Sequence, residues 1–496
     1  MTILQRQILL LLLVQSSYGQ LPLSGRGGQN GSVTPAQTPV PGVTTSVNTL
    51  NTTVQVQGPY AGSASSISKS PFSGKLSLRD AVERGLAYNL GSVGLNNAVR
   101  QARGQARVAR SSLMPNLNGA LRESVQQTNL KALGLRIQVP FPGFAIPTIV
   151  GPFNYFDLRA TLTQTVADMT ALNNYRSTQE LARANEQSAN DARDLVVLAV
   201  GGAYLQTVAS KARLNSARAQ LETANALYQQ TSERRKVGIA AQVDVNRSLV
   251  QQETQQQRVA TLENDLAKQK INLARLTGLP PNDRYDLVDE VPFSTGPAVT
   301  LEDALKQAFE ARADLKAAEA QVRAAERSRG AARAERLPSL AFSADYGAIG
   351  TNPAQSHGTF TVVGTLKIPI WQGGRAEGDI EQADAALDQR HAELEDMRSR
   401  VESDVREALL DLQAAASQIE VAKKNQQVAR ETLTLTRQRF EAGITDSVEV
   451  VQAQEAVASA DLDYITSLFA HNVAKLSLAR AMGHAETHMP QFLNIP

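Results

Sequence analysis

Few residues in this chain stand at spacings that could do chemistry. His484 and His488 lie four apart, which on a helix sets two imidazoles on one face, as a shared metal ion requires. The run between them is Ala485-Glu486-Thr487, so the His-Glu-x-x-His order that places a carboxylate base beside a zinc pair is missing. Gly74-Lys75 lacks both the following Ser or Thr and the earlier glycine of a phosphate-cradling loop. The chain has no cysteine, which removes thiolate metal sites, thiol nucleophiles and disulfides, and also an acylated cysteine at a processed N-terminus. No catalytic residue, metal site or cofactor is expected.

The elements that would have to position any site are more informative. A chain of 496 residues allows two to four domains at roughly 100–200 residues each. Fifty basic and 48 acidic residues leave a formal charge of +2, which gives no nucleic-acid footprint. Residues 1–19 read as a signal peptide: Arg6, a short apolar run over 8–14, then Ser17-Tyr18-Gly19. No later run of roughly 20 apolar residues offers a helical membrane anchor. Residues 20–75 are rich in Gly, Ser, Thr, Pro and Asn without periodicity, and read as a disordered leader.

The rest of the chain is written twice, over 76–286 and 299–484, with 485–496 as a tail. Leu76-Ser77-Leu78-Arg79-Asp80-Ala81-Val82 matches Val299-Thr300-Leu301-Glu302-Asp303-Ala304-Leu305, and Met114-Pro115 matches Leu337-Pro338, both at an offset of 223. Val237-Gly238-Ile239 then matches Ala442-Gly443-Ile444, and Leu273-Ala274-Arg275 matches Leu478-Ala479-Arg480, now at 205. The 18 extra residues of the first copy fall in the Pro- and Gly-rich stretch 129–151.

Within each copy the apolar period changes. Residues 302–336 have helical spacing, and Pro338 stops them. Leu340, Phe342, Ala344, Tyr346 and Ala348 then alternate with small or polar residues, and after a polar turn Phe360, Val362, Leu366, Ile368 and Ile370 do the same. Period two predicts a hairpin. After Gly373-Gly374, residues Ile380, Leu387, Leu394, Val401, Ala408, Ala415, Ala422 and Ala429 recur every seven positions, with Val405, Leu412, Ile419 and Leu433 four positions on. An uninterrupted helix over 379–442 would run roughly 95 Å, and a sustained seven-residue repeat requires a supercoiled partner. Gly443 breaks it, and a second helix over 447–482 returns. Copy one repeats the order, with Leu117, Leu121 and Val125, then Phe156, Leu158, Ala160 and Leu162, then a long helix over about 167–236 with a seam of mostly small residues from Ala203 to Tyr228.

Four strands with one apolar face cannot stand alone in lipid, because their edge amides and carbonyls would be unpaired. Strands of about 9–11 residues suit an outer membrane. One chain falls short of the smallest barrel of about eight strands. Several chains must therefore share a barrel, and three would supply twelve strands.

These features resemble the TolC family of outer-membrane efflux and secretion channels, over roughly 76–484. The features that carry the resemblance are the twofold repeat, the Met-Pro or Leu-Pro entry to each first strand, and the tips Lys236-Val237-Gly238-Ile239 and Glu441-Ala442-Gly443-Ile444 with the Val-Asp-Val and Val-Glu-Val that follow. The resemblance implies a mainly α fold with a membrane β-barrel: a homotrimer whose twelve strands form the barrel and whose twelve helices form a periplasmic tunnel. It implies a passive exit duct in the outer membrane, served by a periplasmic adaptor and a proton-driven or ABC inner-membrane transporter, in a tripartite pump or type I secretion system. The alternative is a secreted coiled-coil scaffold without channel activity.

The same resemblance assigns adaptor docking to Val237, Gly238, Ile239, Ala442, Gly443 and Ile444. It assigns a periplasmic gate to Glu449 and Gln452, six and nine residues past the second tip glycine, and to Asp244, six past the first. Phe440 and Thr445 stand where the family has tyrosine and arginine, so the lock is altered, and Asp446 is a substitute for part of it. An acidic residue at a helix start is also favourable with no gate at all. Residues 129–155, with several Phe and Pro, are expected as an outer loop. Trp371 is expected at the membrane–water boundary.

Overall fold

The computed structural model describes residues 31–41, 48–64, 72, 74–132, 134, 147–281, 284–289, 293–294, 299–483 and 485–493. The expected signal peptide, His484 and the centre of the long outer loop, 135–146, lie outside them.

The described elements run β1 (Val33–Pro41), β2 (Asn48–Val56), β3 (Lys75–Leu76), α1 (Leu78–Tyr88), α2 (Leu90–Ser111), β4 (Asn116–Asn129), β5 (Ile149–Ala167), α3 (Met169–Lys236) and α4 (Gln242–Thr277). The second copy follows as β6 (Asp286–Leu287), α5 (Leu301–Ala311), α6 (Ala313–Ala334), β7 (Ser339–Gly350), β8 (His357–Lys367), α7 (Arg375–Glu441) and α8 (Ser447–Ala481), and α9 (Ala485–Leu493) ends the chain. The predicted heptad seam of α7 is the buried stripe: Val401, Val405, Ala415 and Ile419 are at most 2% exposed. β5 starts further back than the alternation suggested, so Asn129 and residues 149–155 of the expected loop belong to the sheet.

The two copies share their caps as well as their order. Ser77 caps α1, accepting the Asp80 amide at 3.1 Å, and its equivalent Thr300 caps α5, accepting the Asp303 amide at 3.2 Å. The single helix expected over 302–336 is two helices, broken at Arg312; copy one breaks at Asn89, the equivalent position at the same offset of 223. Both breaking residues are buried and leave the helical ψ, Asn89 at 134° and Arg312 at 125°. Asn89 donates to the Tyr60 carbonyl at 2.8 Å and accepts the Gly91 amide at 2.9 Å; Arg312 donates to Asp404 at 2.7 Å. A buried polar side chain that must find its partners dictates the backbone there. Each copy also closes on a glycine in the left-handed region, Gly278 at φ 71° and Gly483 at φ 78°. A Cβ on Gly278 would come within 2.7 Å of Tyr88, and one on Gly483 within 3.0 Å of Ala311, the last residue of the first helix in each copy.

The chain divides into two compact units. Unit 1 comprises Met1–Leu95, Ala189–Arg312 and Val401–Pro496. Its core joins Leu76 and Val82, Val196, Val200 and Tyr204 of α3, Leu273 and Leu276 of α4, and Leu476 of α8. One window of α3 is apolar and long enough to cross a membrane, but 67% of it is buried. The described residues of the leader are ordered where disorder was expected: β1 and β2 pair antiparallel, and Val33 and Tyr60 are core residues. Val54 of β2 lies against Gly202 of α3, where a Cβ would sit within 2.6 Å of it, so the glycine is the hairpin's seat. Val33, Val54 and Val56 supply the burial that the polar composition hides. Ser32 accepts the Gln57 amide at 2.9 Å, which turns the even-numbered groups of β1 toward β2 and the odd-numbered ones outward. Pro35, Pro39 and Pro41 therefore all stand on the outward edge. The tail is likewise structured, and α9 adds Ala485, Met489 and Leu493 to the core.

Unit 2 comprises Asn96–Ser188 and Ala313–Arg400. It holds a four-stranded antiparallel sheet in the order β4-β5-β7-β8, with bulges between Gln126 and Thr128 and between Thr165 and Ala167.

In unit 1, His471 of α8 is 1% exposed, its ring 5.1 Å from that of Phe293. Burial, reinforced by the neighbouring Lys475, pushes its pKa down to about 4. The unfolded chain therefore takes up this proton first. Stability from His471 is complete above its ordinary pKa near 6.5 and is lost as pH falls through about 4. Acidification from pH 7 to pH 4 should cost on the order of 2–3 kcal/mol through this group. His471→Gln should flatten the acid limb of thermal unfolding followed by circular dichroism in detergent; an unchanged limb would refute the assignment.

Candidate functional site

Two features of the chain leave apolar side chains exposed. The first is the pair of helix turns in unit 1. α3 ends with Gly238 at φ 78° and α7 with Gly443 at φ 73°. Their amides bond back in the same pattern: Gly238 to Arg235 at 3.0 Å and Ile239 to Arg234 at 2.8 Å, Gly443 to Phe440 at 3.0 Å and Ile444 to Arg439 at 2.9 Å. This is the Schellman end, which satisfies the last carbonyls and needs a left-handed residue. It usually buries the residue after the glycine. Here Ile239 and Ile444 are 75% and 69% exposed, and Val237 is 70% exposed. The apolar tips are left in solvent, and a Cβ built on either glycine meets nothing within 4 Å.

Between the tips, equivalent residues make different contacts. Arg234 of α3 stacks over the Phe440 ring at 4.4 Å and donates to the carbonyls of Phe440 at 3.0 Å and Glu441 at 3.2 Å. A cation thus closes the negative end of α7. Its equivalent Arg439 instead pairs with Glu449 at 3.5 Å. Asp244 accepts from Ser447 at 2.9 Å, and Arg247 donates to both Asp244 at 3.4 Å and Ser447 at 3.3 Å, tying the start of α4 to the start of α8. Asp446 is the N-cap of α8, accepting the amides of Val448 at 2.9 Å and Glu449 at 3.4 Å. Gln452 and Ala442 are exposed. Phe440 is 7% exposed and packs with Leu227 and Val450, inside the helices rather than at their ends. Thr445 is half-buried.

The expected tip residues are thus brought together, with Phe440 beneath them. Arg234, Arg247 and Ser447 escaped the sequence reading. The Arg234-Arg235-Lys236 run reads equally well as a basic helix end. Only its alignment with Arg439 at the repeat offset marks it. His488 of the tail pair lies 6.1 Å from the Phe492 ring.

The second feature is the sheet of unit 2. In an antiparallel pair, directly opposed residues share a face. The register therefore puts Leu117, Leu121, Leu158, Leu162, Tyr346, Phe360, Val362 and Leu366 on one face, and Asn118, Arg122, Arg159, Thr161, Asp345, Thr359 and Thr361 on the other. Glu123, opposite Phe156, interrupts the apolar face. That face is bare: Leu117 is 72% exposed, Leu121 67% and Phe360 76%. Among the described residues β4 and β8 each have one neighbour, which leaves both outer edges open there. Ile370 and Trp371, in the link from β8 to α7, are 95% and 87% exposed.

The tip contacts predict an asymmetry. Arg234→Ala should loosen the end of α7 by about 1–2 kcal/mol and raise hydrogen exchange at Gly443 and Ile444 several-fold. Arg439→Ala, the equivalent change, should leave those amides protected. Equal effects would count against the capping contact.

Comparison with known proteins identifies the family. The outer membrane efflux protein family matches residues 96–279 and 304–484, one stretch in each copy. The chain is 26% identical over 402 residues to outer membrane protein OprJ of Pseudomonas aeruginosa, covering 78% of this chain and 79% of that one. It is 23% identical to the toluene efflux pump outer membrane protein TtgC of Pseudomonas putida, over 65% of this chain and 68% of that one. The fold matches the Campylobacter jejuni CmeC outer membrane channel with a TM-score of 0.71 at 17% identity, covering 84% of this chain and 90% of that one. The chain belongs to the outer membrane efflux protein family, and its place is the outer membrane.

Proposed function

We propose that three copies of this chain close their sheets into one twelve-stranded barrel, continued by a periplasmic tunnel of twelve helices. In this reading the assembly is the exit duct of a tripartite pump or type I secretion system. The observation that carries it is the two-faced sheet with two open edges. An apolar face of this extent in water is an interaction surface. In lipid each unpaired edge group costs several kcal/mol, so β8 of one copy must meet β4 of the next. The apolar face then meets lipid, and the Thr- and Arg-bearing face lines the pore. The toluene efflux pump relative supports a pump context. Nothing in a secreted scaffold would call for such a sheet.

In the same reading, Val237, Gly238, Ile239, Ala442, Gly443 and Ile444 dock a periplasmic adaptor, which receives cargo from an inner-membrane transporter. The exposed isoleucines support this, since they forgo the burial their own turns could give. Glu449 and Gln452 narrow the mouth, and the Asp244–Arg247–Ser447 tie holds α4 and α8 together there. Asp446 serves as a cap, and Phe440 as the seat of Arg234. Trp371 lies at the membrane boundary, where indole is favoured.

Three outcomes test the reading. Detergent extraction should release heat-modifiable trimers, whereas a soluble monomer would overturn the barrel. Gly238→Trp or Gly443→Trp adds bulk into open space, because nothing stands within 4 Å of either Cβ position, although each strains its left-handed turn locally. Such trimers should assemble yet lose efflux; normal drug resistance would remove the tips from docking. Glu449→Ala should raise single-channel conductance in planar bilayers, and an unchanged value would remove Glu449 from the gate.

A further inference from the structure

Across the polar face of the unit 2 sheet, four ionised residues stand in one row. Arg122 of β4 is directly opposite Asp157 of β5. Arg159, two residues on and on the same face, donates through Nε to both carboxylate oxygens of Asp157, at 3.3 and 3.4 Å. Its Nη1 pairs with Asp345 of β7, and its Nη2 reaches Thr359 Oγ1 of β8 at 3.5 Å. The row therefore crosses all four strands as cation, anion, cation, anion, hydroxyl. Two guanidinium groups against two carboxylates leave it with no net charge. The side chains of Arg159, Asp157 and Asp345 are only 18–23% exposed although the face is open, because they pack on one another. His357 and Lys367, also on this face, stand at the two ends of β8.

We propose that this row is a charge-balanced belt that sets the ion preference of the pore, with Arg159 and Asp345 as its specificity-determining pair. The proposal rests on the barrel reading above: three rows would join end to end around the lumen. Twelve tilted strands spaced about 4.8 Å apart close at a backbone radius of about 12 Å. Side chains bring the belt to within about 8–10 Å of the axis, close to the Debye length of about 10 Å at 0.1 M salt. A balanced belt offers a passing solute alternating charges but no net field, so solutes of either sign pass. Removing one charge per copy leaves three like charges on one ring, whose field reaches the axis.

The test is the reversal potential of the full-length channel in planar bilayers under a KCl gradient at pH 8. Asp345→Asn leaves a surplus of cations and should raise the chloride-to-potassium permeability ratio by about two-fold or more at 0.1 M salt. Arg159→Gln should lower it by a similar factor. Both shifts should fade at 1 M, where the Debye length is about 3 Å. Arg159→Lys keeps the charge and should behave as the parent. Should either isosteric variant fail to assemble, Asp157→Asn and Arg122→Gln carry the same two signs. Shifts of one sign, or none, overturn the proposal. The barrel reading is tested separately in this cysteine-free chain: Thr361→Cys should react with a membrane-impermeant thiol reagent, and Phe360→Cys should not. Labelling as expected with unmoved permeability ratios overturns the belt alone; the reverse labelling pattern overturns the barrel.

Discussion

A backbone amide or carbonyl in lipid has no water to fall back on, and the rest of this protein follows from that constraint. The four-stranded sheet satisfies its inner hydrogen bonds and leaves the outer edges of β4 and β8 unpaired among the described residues, edges that another copy of the sheet satisfies in the proposed barrel. The alternation of side chains then has a purpose on each face. In the proposed barrel, the period-two apolar residues from Leu117 to Leu366 meet hydrocarbon, and the threonines and paired charges between them meet water. In that reading a chain with such a sheet is incomplete by itself, and the exposed leucines and Phe360 are covered on assembly.

The duplication supplies the helices that carry this sheet, and the two copies have diverged where they do different work. Asn89 and Arg312 break their helices at equivalent places with different partners, one a carbonyl and the other a carboxylate. Arg234 and Arg439 occupy equivalent places at the tips, yet one closes a neighbouring helix and the other holds Glu449 in its own copy. The turns themselves stayed the same, because the left-handed glycine and its two back-bonding amides leave little room for change.

Much of the architecture was legible because periodicity reports burial directly. The seven-residue stripe from Leu387 to Ala422 and the alternating runs around Leu158 and Phe360 name their own faces. What escaped was decided by contacts between distant residues. The hairpin of the leader has only a few buried valines among prolines and threonines, and its seat is Gly202, far along the chain. The breaks at Asn89 and Arg312 carry no proline or glycine; the signal lies in what those side chains must reach. Phe440 aligned with a gate position, but its ring is held in an apolar cluster beneath Arg234. At the tips, the glycines could be read from sequence, whereas the cross-links among Asp244, Arg247 and Ser447 needed the fold.

The prolines of β1 have a consequence for assembly. An outward edge without amide hydrogens at positions 35, 39 and 41 has little to offer an incoming strand. β4 and β8 carry no proline, and their edges remain receptive. In the proposed assembly, the edges of β4 and β8 can recruit a neighbouring copy and the leader's outward edge cannot. The chain thus carries its own rule for which strands are allowed to join, written in the absence of hydrogen atoms.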